Sequence, residues 1–232
     1  MPDVPPSGPG RKPLVTITKP RERPERPPTC RRCQGRAWWN GWRIVFPLVA
    51  LVAGLVERWE LPLARAKCSV CRRGFTVYPG GIYPRRQHQL DAIAGVVAEV
   101  TVGAGISVAA AAYSAHTSAT SVRRWTGWVA DLAAPGDLLG VAARLDPDAP
   151  AGAGLSTSIA PPTAHGRAAR ALAALEALGA ALIHRGLAFV ERTGLGRVLG
   201  WQHAAHGDVY GLVAGPRQLS PRMALGGAPG GR

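Results

Sequence analysis

The sequence predicts an α+β chain, a small β-rich module held by cysteines followed by a mostly α-helical half, with disordered ends. Three observations carry this. Four cysteines stand as two close pairs in the first third. Apolar residues turn to helical spacing from residue 87 onward. Gly and Pro, 29 and 21 residues of the 232, concentrate at the two ends. The expected organisation is a disordered basic Pro-rich arm over 1–28, the cysteine module over 29–86, three helices over 87–130, a linker over 131–163, a long helix over 164–200 and a mostly disordered tail over 201–232.

Charge is strong and uneven. The net charge is +14. Residues 1–33 hold 8 basic and 3 acidic groups and residues 34–86 hold 9 and 2, so these segments supply +12 of the +14. Such a field draws the chain towards polyanions. The plain alternative is a basic tail on a composition rich in Arg, Ala and Gly. The start, MPDVPPSGPGRKP, lacks the apolar core of a secretory signal. The longest apolar run, residues 44–56, holds 13 residues with Pro47 inside it, and a membrane span needs about 20. A soluble, cytoplasmic protein with no membrane partner is expected; a short buried or interfacial segment at 44–56 is the alternative.

The cysteines are Cys30, Cys33, Cys68 and Cys71. They form two C-x-x-C knuckles, CRRC and CSVC, with 34 residues between them. Two such pairs supply four thiolates, which suits a tetrahedral structural zinc ion. The long excursion between them is tolerable, because loop-closure entropy grows slowly with length. Iron in the same cage and redox use remain alternatives; structural disulfides require an oxidising compartment that no signal indicates. Gly35 and Gly74 stand just past the knuckles, where a tight turn is expected to need a residue without a β-carbon. Phe75, Val77 and Tyr78 can cover one side of a strand pair. Trp38, Trp39 and Trp42 read first as the core of a small module, and alternatively as surfaces on which bases stack. Arg31, Arg32, Arg36, Arg43, Arg65, Lys67, Arg72 and Arg73 surround the site; some offset thiolate charge, and the surplus can meet phosphate.

Leu90, Ile93, Ala94, Val97 and Val100 form one face of a first helix. Gly103 and Gly105 end it. A short second helix is predicted over Ser107–Ser114 with Ser107 as N-cap. A turn near Ala115–Thr117 leads to a third helix over Ser118–Ala130. Helix, short helix, turn, helix is a helix-turn-helix shape. In the third helix Val122, Trp125 and Val129 share one side; Thr120, Arg123 and Arg124 fall opposite, with Ser121 at the edge. An apolar back with a front of hydroxyls and guanidiniums is what a recognition helix needs. The same pattern also fits an ordinary amphipathic helix. His116 occupies a turn position where Gly is more comfortable.

CRRC, the tryptophans, KCSVCRRGFTVYP, the IYPRRQH linker and SVRRW at Ser121–Trp125 together resemble a family of bacterial proteins associated with insertion sequences, which join a zinc ribbon to a helix-turn-helix. The resemblance covers about residues 28–130, a little under half of the chain. It implies DNA binding within or beside a transposition system, as regulator or accessory factor. It implies zinc on Cys30, Cys33, Cys68 and Cys71, and double-stranded DNA facing Thr120, Ser121, Arg123 and Arg124. A homodimer or a transposase is the implied further partner. The apolar insertion 44–56 and His116 depart from the family pattern.

Residues 131–162 read as a Pro/Gly-rich linker with a short helix near Asp137–Leu145. A helix over Ala164–Arg192 presents Leu172, Leu175, Gly179, Leu182, Ile183, Phe189 and Val190 as a stripe. That stripe requires a partner, the three-helix region or a second copy, and packing within the chain is favoured. His203, His206 and Asp208 lack a convincing ligand set. The carboxylates after residue 130 show no alternating β pattern of the kind a two-metal transposase scaffold needs, so no catalytic residue is assigned. The rival readings are a protein–protein adaptor with a structural metal, using 44–56 and 164–192 as contact surfaces, and a recombinase subunit.

Overall fold

The computed structural model describes residues 10–50, 54–79, 82, 87–102, 106–132, 134–147, 163–187 and 191–205. Its β half is a single mixed sheet built around one long strand. Strand β1 is Leu14–Thr18, β2 is Ala37–Val45, β3 is Leu48–Ala50, β4 is Val56–Cys68 and β5 is Gly74–Thr76. β2 and β3 run antiparallel to β4 in one register, Val45 opposite Leu61 and Leu48 opposite Arg58. They are two parts of one hairpin arm, interrupted at Phe46 and Pro47. The register shifts once, between Trp39 and Trp42, where Gly41 adopts φ +80° as a bulge residue.

β1 pairs parallel with the first part of β4, and β5 pairs antiparallel with the last part, on the edge opposite β2 and β3. Pro62 lies between these two pairings. Its missing N–H faces the stretch of edge where neither β1 nor β5 reaches, so no ladder bond is lost there.

One expectation changes here. The arm over 1–28 is not disordered from Gly10 onward: LVTIT is a strand, and β-branched residues favour it as an edge. The flanking Pro13 and Pro20 stop it without costing ladder bonds. Of the 44–56 run, Ile44 and Val45 end β2, Leu48–Ala50 form β3 and Val56 begins β4, so its described residues build the far end of the hairpin. Val49 and Val56 are buried there, while Ile44 and Phe46 are about half exposed.

Among the described residues the α half has six helices: α1 (Leu90–Thr101), α2 (Val108–Ser114), α3 (Ala119–Ala130), α4 (Pro135–Leu145), α5 (Ala164–His184) and α6 (Gly194–Ala205). Every residue predicted for the apolar face of α1 is buried. Ser107 caps α2, accepting from the Ala110 N–H, and Ser118 caps α3, accepting from the Ser121 N–H. α5 is the centre of the core, packed against α1, α3, α4 and α6. Leu172, Leu175, Gly179 and Leu182 are buried as the stripe requires, so its partner lies within the chain; Ile183 is exposed, and Phe189 and Val190 lie outside the described residues.

The 131–163 segment is only partly a linker. α4 starts at Pro135, two residues before the expected helix, because Pro suits the first helical position. It buries Leu138, Val141 and Ala142 in the core. Its C-cap Asp146 meets His184 Nδ1 at 2.6 Å, tying α4 to the end of α5. Residues 148–162 lie outside the described part.

The single helix expected over 164–200 is two. α5 stops at His184, and Gly186 turns the chain at φ +82°. α6 then crosses α5 at glycine contact: a β-carbon on Gly194 would stand 2.4 Å from the Leu175 carbonyl oxygen. The Glu176 carboxylate accepts the Gly194 N–H at 2.6 Å, and Asp91 of α1 accepts the Arg192 and Thr193 N–H groups. The start of α6 is thus capped by carboxylates far away in sequence. The tail expected over 201–232 begins inside α6, and His206 and Asp208 lie outside the described residues. No described helix is long and apolar enough to cross a membrane.

The halves meet at two seams. The Leu48 N–H donates to Gln87, and Leu48 accepts from the Gln89 N–H, leading into α1. His88 stands between, its ring edge-on to Trp125 at 4.6 Å, and burial lowers its pKa to about 4. The second seam is the arm. The Lys12 N–H donates to Ser114 at the end of α2, its side chain pairs with Glu99 of α1, and Arg11 lies over Tyr113.

Candidate metal centre and the exposed face of α3

The two knuckles are built alike. In the first, the Cys30 N–H donates to Gly35 and the Gln34 N–H returns to Cys30; in the second, the Cys68 N–H donates to Arg73. Four residues after each first cysteine the chain turns left-handed, at Gln34 (φ +56°) and Arg72 (φ +58°). The turn expected at Gly35 and Gly74 is therefore made by Gln34, just before Gly35, and by Arg72, two residues before Gly74. Gly35 is needed for another reason. A β-carbon there would stand 2.7 Å from Val70 Cγ2 and 3.2 Å from Cys68 Sγ, so the knuckles close tightly over this glycine and a larger residue would push Val70 and Cys68 aside. Gly74 has no such neighbour: its nearest atom, the Ala66 oxygen, is at 3.8 Å. Ser69 joins the knuckles by donating both its N–H and its hydroxyl to the Arg36 carbonyl, each at 2.8 Å.

This brings Cys30, Cys33, Cys68 and Cys71 together, all four sulfurs within 4.8 Å of one another. The short separations run between knuckles, Cys30 to Cys71 at 3.6 Å and Cys33 to Cys68 at 3.5 Å. Both far exceed a disulfide bond, about 2.05 Å, and all four cysteines are free. A tetrahedral ion with metal–sulfur bonds of about 2.3 Å requires sulfur edges of about 3.8 Å. The donor set and the spacing fit a metal ion. Among the described residues this is the one group of three or more Cys, His, Asp or Glu side chains that reach a common point. Cys30 and Cys68 are buried, Cys71 is half-buried and Cys33 exposed.

The thiols are not equivalent. Burial pushes the Cys68 thiol up, but the Cys71 and Val70 N–H groups and the Cys33 and Cys71 thiols outweigh it and bring it down to about 6. The Cys33 and Arg32 N–H groups lower Cys30. At Cys33 the Gly35 N–H pulls down, but the other three sulfurs, Cys68 foremost, and burial raise it to about 11. The N–H groups aimed at Cys68 and Cys30 favour their thiolates, the form that binds metal.

α3 divides as its sequence predicts. Val122, Trp125, Thr126 and Val129 are buried, and Thr120, Arg123 and Arg124 are exposed. Ser121 is different: it is half-buried and its hydroxyl lies 2.9 Å from the capping hydroxyl of Ser118, so it serves the cap. Ahead of α3, α2 ends in a left-handed residue with the Thr117 N–H returning to Ala112. That residue is His116, at φ +53°. Its imidazole Nε2 stands 2.7 Å from the Lys12 carbonyl oxygen, a bond that glycine would not make.

The signal for this arm contact was absent from local spacing, since Lys12 and His116 are 104 residues apart. The three tryptophans of β2 separate. Trp39 and Trp42 are half-buried, with the Arg23 guanidinium 5.1 and 5.7 Å from their rings; Trp38 is exposed.

Compared with known proteins, the chain matches no family model, and neither a curated protein nor a solved structure matches it.

Proposed function

We propose that the chain is a DNA-binding protein in which a structural zinc ion holds the ribbon and α3 enters the major groove. The observation that carries this is the division of α3, with Thr120, Arg123 and Arg124 exposed behind a capped N-terminus and opposite a buried apolar side. The front of α3 thus offers guanidiniums that can bond guanine edges and a hydroxyl that can meet phosphate. Zinc is the preferred ion because four thiolates at tetrahedral spacing suit it. The basic ribbon supplies sequence-independent phosphate contacts. The resemblance over residues 28–130 supports a regulator or accessory role for a bacterial mobile element, working beside a transposase in the cytoplasm.

The test is duplex binding by the zinc-loaded chain across a salt series, with and without a chelator. Affinity falling linearly on logarithmic axes as salt rises, and lost with zinc, is the expected result. Arg124→Ala is expected to cost about 1–3 kcal/mol on a preferred sequence and to flatten the preference, whereas loss of Arg21 or Arg26 weakens every duplex alike. Equal affinity of the Arg124 variant and the parent for every duplex would sink the role of α3.

Ile44 and Phe46, 49% and 52% exposed on the hairpin, favour a second reading, a protein–protein adaptor. Zinc retained without duplex affinity at any moderate salt would select it.

A further inference from the structure

We propose that Trp38, beside Arg72, is a stacking site for an unpaired base of single-stranded nucleic acid, a contact separate from α3. The proposal extends the nucleic-acid reading above and rests on it for the class of ligand. Its starting point is exposure. Of the seven tryptophans, Trp38 alone is exposed; the others are buried or half-buried. Trp39 and Trp42 on the same strand lie under Arg23 of the arm, and Trp59 meets Lys19 at 4.0 Å. The arm covers those rings; Trp38 instead lies under Arg72 of the second knuckle and keeps 39% of its surface exposed.

The surroundings of Trp38 are cationic. It sits directly across from Lys67, so the two project from one sheet face, and Arg65, exposed, follows two residues along β4 on that face. Arg72 holds its guanidinium 5.8 Å from the Trp38 ring. Arg72 does so from a left-handed backbone, which glycine takes freely and arginine only at a cost. Basic residues dominate the sequence around both knuckles: residues 26–56 contain five Lys or Arg and no Asp or Glu, and residues 61–90 contain six and none, with Glu25, Glu57 and Glu60 just outside.

A flat apolar ring between cations is the arrangement that takes a base on its face and the phosphates beside it. The ring faces of a duplex are already stacked on one another, so this site requires an unpaired base. A chain holding duplex on α3 and an open base on the ribbon would suit DNA at a junction between paired and unpaired strands.

The experiment compares binding of labelled oligo(dT) and of a duplex of equal length by the full, zinc-loaded chain. Parent, Trp38→Ala, Trp38→Phe, Arg72→Gly and Arg124→Ala are compared, with zinc content measured for each. Trp38→Ala is expected to weaken oligo(dT) about tenfold and to leave the duplex within about twofold. Trp38→Phe keeps a ring and most of the affinity. Arg72→Gly suits the backbone and is expected to cost roughly threefold on oligo(dT), which tests the site even where Trp38→Ala loses zinc. Arg124→Ala gives the reverse pattern, losing duplex alone. The proposal is overturned if the parent does not bind oligo(dT), or if the zinc-loaded Trp38 and Arg72 variants bind it as the parent does. Loss of the α3 reading shows differently, as oligo(dT) binding that depends on Trp38 without any duplex preference that depends on Arg124.

Discussion

The ribbon and the helical half are stabilised in opposite ways. The helical core gathers buried side chains from all six helices around α5, Leu175, Leu178 and Leu182 among them. The ribbon's apolar cluster is Leu61, Leu63 and Ile82, with Val45, Trp59 and Tyr78 against it. A cluster that small contributes a few side chains' worth of burial, about 1.5–3 kcal/mol each at most, against the cost of ordering a long hairpin. The difference leads to the expectation that the ribbon draws much of its stability from a metal on the four cysteines, and that the helices hold without it.

Metal removal is the largest expected effect. Structural zinc contributes about 10–16 kcal/mol in small zinc modules. Chelation, or Cys68→Ser, is expected to free the amides of β2, β4 and β5 to hydrogen exchange while helical circular dichroism persists. Joint loss of both signals would show that the two halves fold as one unit and break the contrast.

The converse perturbation comes next. Leu175 is fully buried beside the α6 crossing. Leu175→Ala is expected to cost about 2–5 kcal/mol in chemical denaturation, with metal content unchanged. Metal lost together with helical stability would again refute independence.

What was legible in the sequence follows the range of each interaction. Cys30 and Cys33, Ser107 and Ser118, and the face of α1 are local patterns, fixed by spacings of two to four residues. The missed features are long-range or depend on approach. LVTIT carried its own strand signal but stood among prolines, and its partner β4 begins 38 residues after β1 ends. The break between α5 and α6 depends on Asp91 and Glu176 reaching the turn and on glycines at the crossing. Gln34 and Arg72 carry no local signal, because left-handed turns favour glycine, whereas here knuckle geometry imposes that conformation on larger residues.

His116 gives the smallest and sharpest test, because it sits where the two halves are joined. The left-handed backbone costs a non-glycine residue about 1–2 kcal/mol, and the bond to the Lys12 carbonyl returns about 0.5–1.5 kcal/mol. His116→Ala keeps the strain and loses the bond, so a destabilisation of about 1 kcal/mol is expected. His116→Gly loses both, so the two terms nearly cancel and stability should stay within about 1 kcal/mol of the parent. Both changes remove the arm's hold on the α2–α3 turn. Faster exchange of the Lys12 amide, which donates to Ser114, is therefore expected in both variants, while the denaturation midpoint falls only for alanine. If the glycine variant falls as far as the alanine one, the imidazole bond dominates the turn and the arm is a structural member of the helical half.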